Sequence, residues 1–190
     1  MKIESLDKLF VDELKDIYSA ESQLIRALPK MAKAATSPML REAFESHLEE
    51  TKIQKERLDQ IGEQLGQRLT GKKCVAMEGL IEEGKEILEA DGLPSLIDAA
   101  LIAAAQRVEH YEISAYGTAR ALAQHLGHAD AVKLLDTTIH EEGAADHKLT
   151  KIAESDVYPG VRTEQEEAEN APKSSNGRAK KGAKKRASKK

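Results

Sequence analysis

Several residue types that favour other kinds of fold are scarce in this sequence. It has one cysteine, Cys74, no tryptophan and only 3% aromatic residues. A single cysteine excludes a disulfide within the chain, and strand-forming residues never alternate in the way that predicts a sheet. The longest apolar run, Ala99 to Ala105, is far too short to span a membrane. The first residues also lack the apolar stretch of a signal peptide, so we expect a soluble, cytoplasmic protein.

Residues that favour helix are abundant instead, chiefly Ala, Leu, Glu and Lys. A chain of 190 residues is long enough for one domain with a substantial core. The formal net charge is −4, yet nine Lys or Arg residues and no acid follow from Lys173 to the end. Apolar periodicity stops after Tyr158. We therefore predict an all-α domain over residues 1–158 and a disordered basic tail over residues 159–190.

Apolar residues at helical spacing predict four long helices and one short helix. They run from about Ser5 to Ala35, Pro38 to Leu65, Pro94 to His125 and Ala129 to Ala153, with the short piece from Glu78 to Glu89. Pro29 lies inside the first helix and is expected to kink or divide it. Two short connections predict two antiparallel hairpins, and the long middle segment can cross the whole bundle. This is the arrangement of a ferritin-like four-helix bundle.

Each long helix places at least one ionisable side chain in or beside its apolar stripe. These residues are Glu21 on the first helix, His47 and the marginal Glu50 on the second, Glu112 and the edge residue Glu109 on the third, and Glu142 and Asp146 on the fourth. A buried, unpaired carboxylate costs several kcal/mol unless something compensates it, and no basic residue lies in the stripes. One or two divalent cations would suit such oxygen-rich ligands.

Each of these residues also has a plainer explanation. A lone Glu on a helix is usually exposed, and a lone inward His is usually a hydrogen-bonded core residue; the pattern across four helices favours the metal site. His47-x-x-Glu50 reverses the Glu-x-x-His order of di-metal bundles. His110, His140 and His147 are predicted to point outward, which leaves the fourth helix without an inward imidazole. The predicted site is rich in carboxylates, and the sequence does not choose between iron and manganese.

Several strings within residues 3 to 155 carry a family resemblance. They include Asp16-Ile-Tyr-Ser-Ala-Glu21, Phe44-Glu-Ser-His-Leu-Glu-Glu-Thr51 and Val108-Glu-His-Tyr-Glu112. Through them the sequence resembles the YciF-like family of the ferritin-like superfamily, bacterial stress-associated proteins. The resemblance implies a paired-metal centre at the seven inward residues and a homodimer.

Two classes of function fit these observations. One is an oxidoreductase with two Fe or Mn ions that acts on hydrogen peroxide like a catalase or peroxidase. The other is a non-enzymatic metal-binding or structural stress protein. The tail adds possible sequence-independent contact with DNA, although it has no aromatic residue to stack on bases. Its candidate contacts are Lys180, Lys181, Lys184, Lys185, Arg186, Lys189 and Lys190. Cys74 lies outside the stripes and is interpreted as a packing residue.

Overall fold

A computed structural model describes residues 4–170 of the chain, and that part contains helices and no strand. The elements are α1 (Leu6–Ala34), α2 (Pro38–Gln64), α3 (Val75–Leu88), α4 (Pro94–Leu126), α5 (Ala129–Ile152), a π-helical turn (Ala153–Val157) and α6 (Tyr158–Asn170). None of these helices combines the length and the apolarity needed to cross a membrane.

The long helices form a four-helix bundle with the predicted connectivity. α1 packs against α2 and α4 against α5, which makes two hairpins, and the hairpins join through α1 with α4 and α2 with α5. The segment between α2 and α4 crosses the bundle and carries α3, which lies against α1 and α4. The prediction of two hairpins joined by one long crossover is confirmed.

Local capping signals explain why the helix limits agree closely with the sequence. Ser5 and Ser37 accept hydrogen bonds from backbone N–H groups in the first turns of α1 and α2. Gly127 ends α4 in the left-handed conformation that glycine tolerates best. α1 is not divided at Pro29, because it continues to Ala34. Pro29 is exposed and removes only one hydrogen bond near the end of the helix; a kink there stays a prediction.

The helical structure extends beyond the predicted domain boundary at residue 158. Residues 159–170 do not belong to a disordered tail, since α5 continues through the π-helical turn into α6, which ends at Asn170. The Glu164 carboxylate accepts hydrogen bonds from the backbone N and the Oγ of Ser95, at 3.2 and 2.7 Å. An acid beside the N-terminus of α4 also interacts favourably with the helix dipole. The rest of the predicted tail, from residue 171, lies outside the described residues.

The core consists of two apolar halves. One half contains Leu28, Phe44 and Met77, and the other contains Phe10 and Leu135. Between them, each long helix contributes buried polar side chains. These are Glu21 from α1, His47, Thr51 and Gln54 from α2, Glu109 and Glu112 from α4, and Thr138 and Glu142 from α5. The fold therefore holds a polar layer at the middle of an otherwise apolar bundle.

Candidate metal centre

Four residues of the polar layer form a compact group. His47, Glu109, Glu112 and Glu142 each offer a ligand atom, and these atoms all lie within 4.8 Å of one another. His47 Nε2 is 3.6 Å from Glu109 Oε2 and 3.8 Å from Glu142 Oε2. Glu109 and Glu112 share one face of α4 because residues three apart are neighbours on a helix. Three facing helices therefore bring three carboxylates and one imidazole together, a set that can hold a metal ion.

Glu21 lies beside this group on α1 and is completely buried. The hydroxyl of Tyr116 donates a hydrogen bond to its Oε1, while its Oε2 has no partner among residues 4–170. Burial raises the pKa of Glu21 well above its ordinary value, and the charge of Glu142 raises it further. Glu21 is thus electrostatically part of the cluster, with one oxygen held by Tyr116 and the other open to a ligand.

Most polar atoms of the compact group lack a hydrogen-bond donor in the described part of the chain. Both ring nitrogens of His47 and both oxygens of Glu112 are without partners, as are one oxygen each of Glu109 and Glu142. Buried polar atoms are normally satisfied, and leaving one unsatisfied costs about 1–3 kcal/mol. A cation bound among these atoms would remove that cost.

The pKa values of the carboxyl groups in the cluster are raised, mainly because these groups are buried. Burial raises the pKa of Glu109 and of Glu112 well above the ordinary value, and the pKa of Glu142 is also raised, chiefly by burial. Neighbouring carboxylates add to the rise, since each disfavours a second negative charge nearby. Without a cation the cluster would retain protons; a bound cation would favour the charged carboxylates.

The structure places two of the seven predicted ligands at the margin. The side chain of Glu50 is 46% exposed, and its Oε2 lies 3.6 Å from His47 Nδ1. The pKa of Glu50 is lowered, chiefly by the neighbouring imidazole of His47. Asp146 Oδ1 accepts a hydrogen bond from Gln106 Nε2 at 2.9 Å and lies 3.5 Å from the exposed His110. Neither joins the four-residue group, so their role as ligands stays a prediction.

A layer of partners around the cluster was not predicted. Gln54 Nε2 donates hydrogen bonds to Glu142 Oε1 and to Glu141 Oε2. Arg57 forms two parallel hydrogen bonds with the carboxylate of Glu141 and a third with the hydroxyl of Thr138. A helical wheel of the sequence also places Gln54 near the centre of the apolar stripe of α2, a signal that could have identified it. Arg57 lies three residues later on the same face. Gln54 therefore orients Glu142, while Arg57 holds the adjacent Glu141.

Asp98 shows how a buried carboxylate is stabilised without a metal. It accepts hydrogen bonds from the backbone N of Thr36 at 2.9 Å and of Ser37 at 2.7 Å, and from Thr36 Oγ1 at 2.6 Å. These donors belong to the turn between α1 and α2, so Asp98 ties that hairpin to the start of α4. Unlike those of Glu112, its oxygens have hydrogen-bond donors within the protein.

A cavity of about 150 Å³ leads toward the cluster between α2 and α5. His47 and Glu109 lie along it, together with Glu50 and Lys148. The small side chains of Ala43, Ala144 and Ala145 leave this space free. Its size suits a metal ion or a small oxidant and excludes large organic substrates.

Cys74 is buried and caps the start of α3, where its Sγ accepts a hydrogen bond from the backbone N of Met77 at 3.4 Å. Its Sγ also lies 3.0 Å from the hydroxyl of Tyr111, which donates a hydrogen bond to Asp16 at 2.8 Å. Burial raises the pKa of the Cys74 thiol. A buried, protonated thiol is unreactive, in agreement with a packing role. The predicted DNA contacts from Lys180 to Lys190 lie outside the described residues.

Comparison with known proteins places this geometry in context. The family described as Domain of unknown function (DUF892) matches residues 5–161. The chain is 50% identical to the protein YciF of Escherichia coli over 158 residues, which cover 83% of this chain and 95% of that protein. The crystal structure of that stress protein superimposes with a TM-score of 0.80, over 82% of this chain and 99% of the other. YcfI from Rhodopseudomonas palustris is 47% identical, with a TM-score of 0.76 over 78% of this chain and 95% of its own.

Proposed function

The chain belongs to the DUF892 family and is a homologue of the stress protein YciF, and from this premise we propose that it is a stress protein that binds two Fe or Mn ions and acts on hydrogen peroxide. One observation carries the proposal. Carboxylates from three helices and an imidazole from a fourth lie together in the core, and most of their polar atoms have no hydrogen-bond partner within residues 4–170. Glu21 belongs to α1, His47 to α2, Glu109 and Glu112 to α4, and Glu142 to α5.

The chemistry of the donor set fits these metals. His47, Glu109, Glu112 and Glu142 would hold the first ion, and Glu21 offers a further oxygen for the second. Oxygen ligands with one imidazole suit Mn and Fe better than the softer metals that prefer thiolate. In this proposal Glu50, whose Oε2 lies 3.6 Å from His47 Nδ1, and Asp146, whose charge raises the pKa of Glu109, would be additional ligands.

When bound, iron or manganese would supply the changes of oxidation state that peroxide chemistry requires. The chain supplies the setting. Gln54 holds one oxygen of Glu142 and Tyr116 holds one oxygen of Glu21, so that each carboxylate presents its other oxygen to the cluster. Such outer partners orient metal ligands and tune their basicity. The two apolar halves of the core exclude bulk water, and the cavity at Ala145 admits only small molecules.

Metal analysis by mass spectrometry and a peroxide assay on the same sample test the proposal. After a chelator has removed any metal, we expect the protein to bind added Mn or Fe. The rate of peroxide consumption should then rise with the amount of metal bound per chain. Glu112→Gln should abolish both, whereas Glu56→Gln, which changes an exposed acid of α2, should change neither. A protein that binds neither metal would overturn the whole proposal. A loaded protein that leaves peroxide untouched would overturn the enzymatic part.

The raised pKa values of Glu109, Glu112 and Glu21 favour one alternative, a non-enzymatic stress protein. Carboxyls that stay neutral could remain buried without any metal. A purified protein that contains no metal and is equally stable after chelation would support this alternative. A homodimer, a cytoplasmic location and DNA contact through the basic tail are further parts of our proposal, each open to direct measurement on the full chain.

A further inference from the structure

A groove separate from the metal cluster runs between α3 and the face formed by α1 and α4. It encloses about 290 Å³, about twice the roughly 150 Å³ of a cavity that holds one benzene molecule. Its walls are mostly apolar and include Leu24, Met31, Leu80, Ile81, Leu88 and Val108. None of the seven predicted metal ligands lines it.

Gly84 shows that the groove is open space and not a packed contact. The residue is buried in α3, yet a Cβ added to it would meet no heavy atom of residues 4–170 within 4 Å. Glycine is also a poor helix former compared with alanine. The missing side chain leaves room between α3 and the bundle.

The rim of the groove carries unpaired positive charge. Arg26 and Lys30 lie one turn apart on α1 and are exposed, and neither has an ion-pair partner within residues 4–170. The acid on the opposite rim, Glu78, is already paired with Lys73. An occupant would therefore need an apolar body and a negatively charged end.

We propose that this groove binds a free medium-chain anionic amphiphile, such as a fatty acid, with its alkyl chain along α3 and its carboxylate at Arg26 and Lys30. From the benzene comparison, the volume suits a chain of roughly ten carbons. The chain's own C-terminal segment does not match this chemistry. Residues 171–190 contain nine Lys or Arg residues, no acid and no large apolar side chain. The proposal is independent of the metal centre.

Titration calorimetry on the full chain tests the charge and the chain length of the ligand. The probes are octanoate and decanoate below their micelle concentrations, with decyltrimethylammonium as a cation of equal chain length. We expect decanoate to bind more tightly than octanoate, by about three- to fourfold for each added methylene, and the cation to bind at least tenfold more weakly than decanoate. Equal binding of the cation, or no binding of decanoate, would overturn the proposal.

Paired variants locate the site. Gly84→Leu should fill the groove and abolish decanoate binding, whereas Gly79→Leu makes the same change on the exposed face of α3 and should preserve it. If Gly84→Leu fails to fold, the charge variants decide the question. Changing Arg26 and Lys30 together to Gln should weaken binding at least tenfold, while the same change at Lys15 and Lys151, outside the groove, should not.

Two results would assign the groove to another occupant and overturn the proposal. The first is a dimer in sedimentation experiments that Gly84→Leu converts to a monomer while decanoate leaves it unchanged, since a second copy would then cover the groove. The second is cosedimentation with phosphatidylglycerol vesicles that Gly84→Leu abolishes, since the ligand would then be a lipid of the bilayer.

Discussion

Replacing Glu112 with leucine should stabilise the metal-free protein. The side chain is 1% exposed, and neither of its oxygens has a hydrogen-bond donor within the described residues. Leucine has a similar volume and no polar atom, so the unsatisfied oxygens disappear without leaving a large cavity. An unsatisfied buried polar group costs about 1–3 kcal/mol, and we expect a gain in the free energy of unfolding of that size. For a domain of this length, each kcal/mol corresponds to about 2–4 °C in Tm.

Metal should reverse the order of stability. A ligand that binds only the folded state stabilises it by about 2.7 kcal/mol at 100 times its Kd, and Glu112→Leu removes a ligand from the compact group. Wild type should therefore be less stable than the variant in chelator and more stable in excess Mn. Urea unfolding at pH 7, followed by circular dichroism, measures both conditions.

Two further variants show whether the gain in stability comes from removing buried polar atoms or from removing any acidic side chain. Glu112→Gln keeps two polar atoms at the same buried position, so its gain in chelator should be smaller than that of leucine. Glu56→Leu replaces an exposed acid and should change the free energy of unfolding by less than about 0.5 kcal/mol. The reasoning would be refuted if Glu112→Leu were less stable than wild type without metal, because the carboxyl would then contribute favourable interactions of its own.

Three other predictions follow from the same geometry. In the metal-free protein, the folded state retains protons on Glu109 and Glu112 that the unfolded chain releases near the ordinary pKa of 4.5. The free energy of unfolding should therefore fall as pH rises above that value, by about 1.4 kcal/mol per pH unit for each retained proton; urea midpoints that stay constant from pH 5 to 7 in chelator would contradict this. Asp98→Ala removes three hydrogen bonds from the α1–α2 turn and should lower the free energy of unfolding by about 3 kcal/mol, equally with and without metal, with Asp98→Asn intermediate. Ala145→Phe should narrow the cavity beside His47 and slow Mn uptake severalfold in stopped-flow measurements, whereas Ala103→Phe, on an exposed face of α4, should leave the rate unchanged.

The helices and the centre of the site were predictable because both depend on local order along the chain. Ser37 and Gly127 mark helix ends through their own side chain or backbone, and Glu21 and Glu142 stand out because they interrupt apolar periodicity. Features that depend on distant contacts were missed. α6 is tied to Ser95 through Glu164, across 69 residues of sequence. Arg57 reaches Glu141 only because α2 and α5 are adjacent in the bundle.

The burial of residues at the edge of an apolar helix stripe could not be predicted from the sequence periodicity. Glu109 and Glu50 both lay at stripe margins in the sequence, yet Glu109 is 3% exposed and the Glu50 side chain is 46% exposed. A helical wheel gives the direction of a side chain, but how deeply neighbouring helices cover it depends on their packing. Glu109 is covered because it points toward the middle of the bundle, where His47 of α2 and Glu142 of α5 approach it.

Asp98 and Glu112 are two buried acids on α4 that differ in their hydrogen bonding. This difference bears on the role of the polar layer. Asp98 is 2% exposed and its oxygens meet three donors, so its burial stabilises the fold. Glu112 is as deeply buried and meets none within residues 4–170. In the metal-free protein an apolar residue at position 112 would therefore be more stable than the carboxyl, whereas at position 98 it would be less stable. The polar layer lies at the centre of the core, between two apolar halves, and its unsatisfied atoms destabilise the metal-free fold. A cation bound to these atoms would satisfy them and so stabilise the folded state.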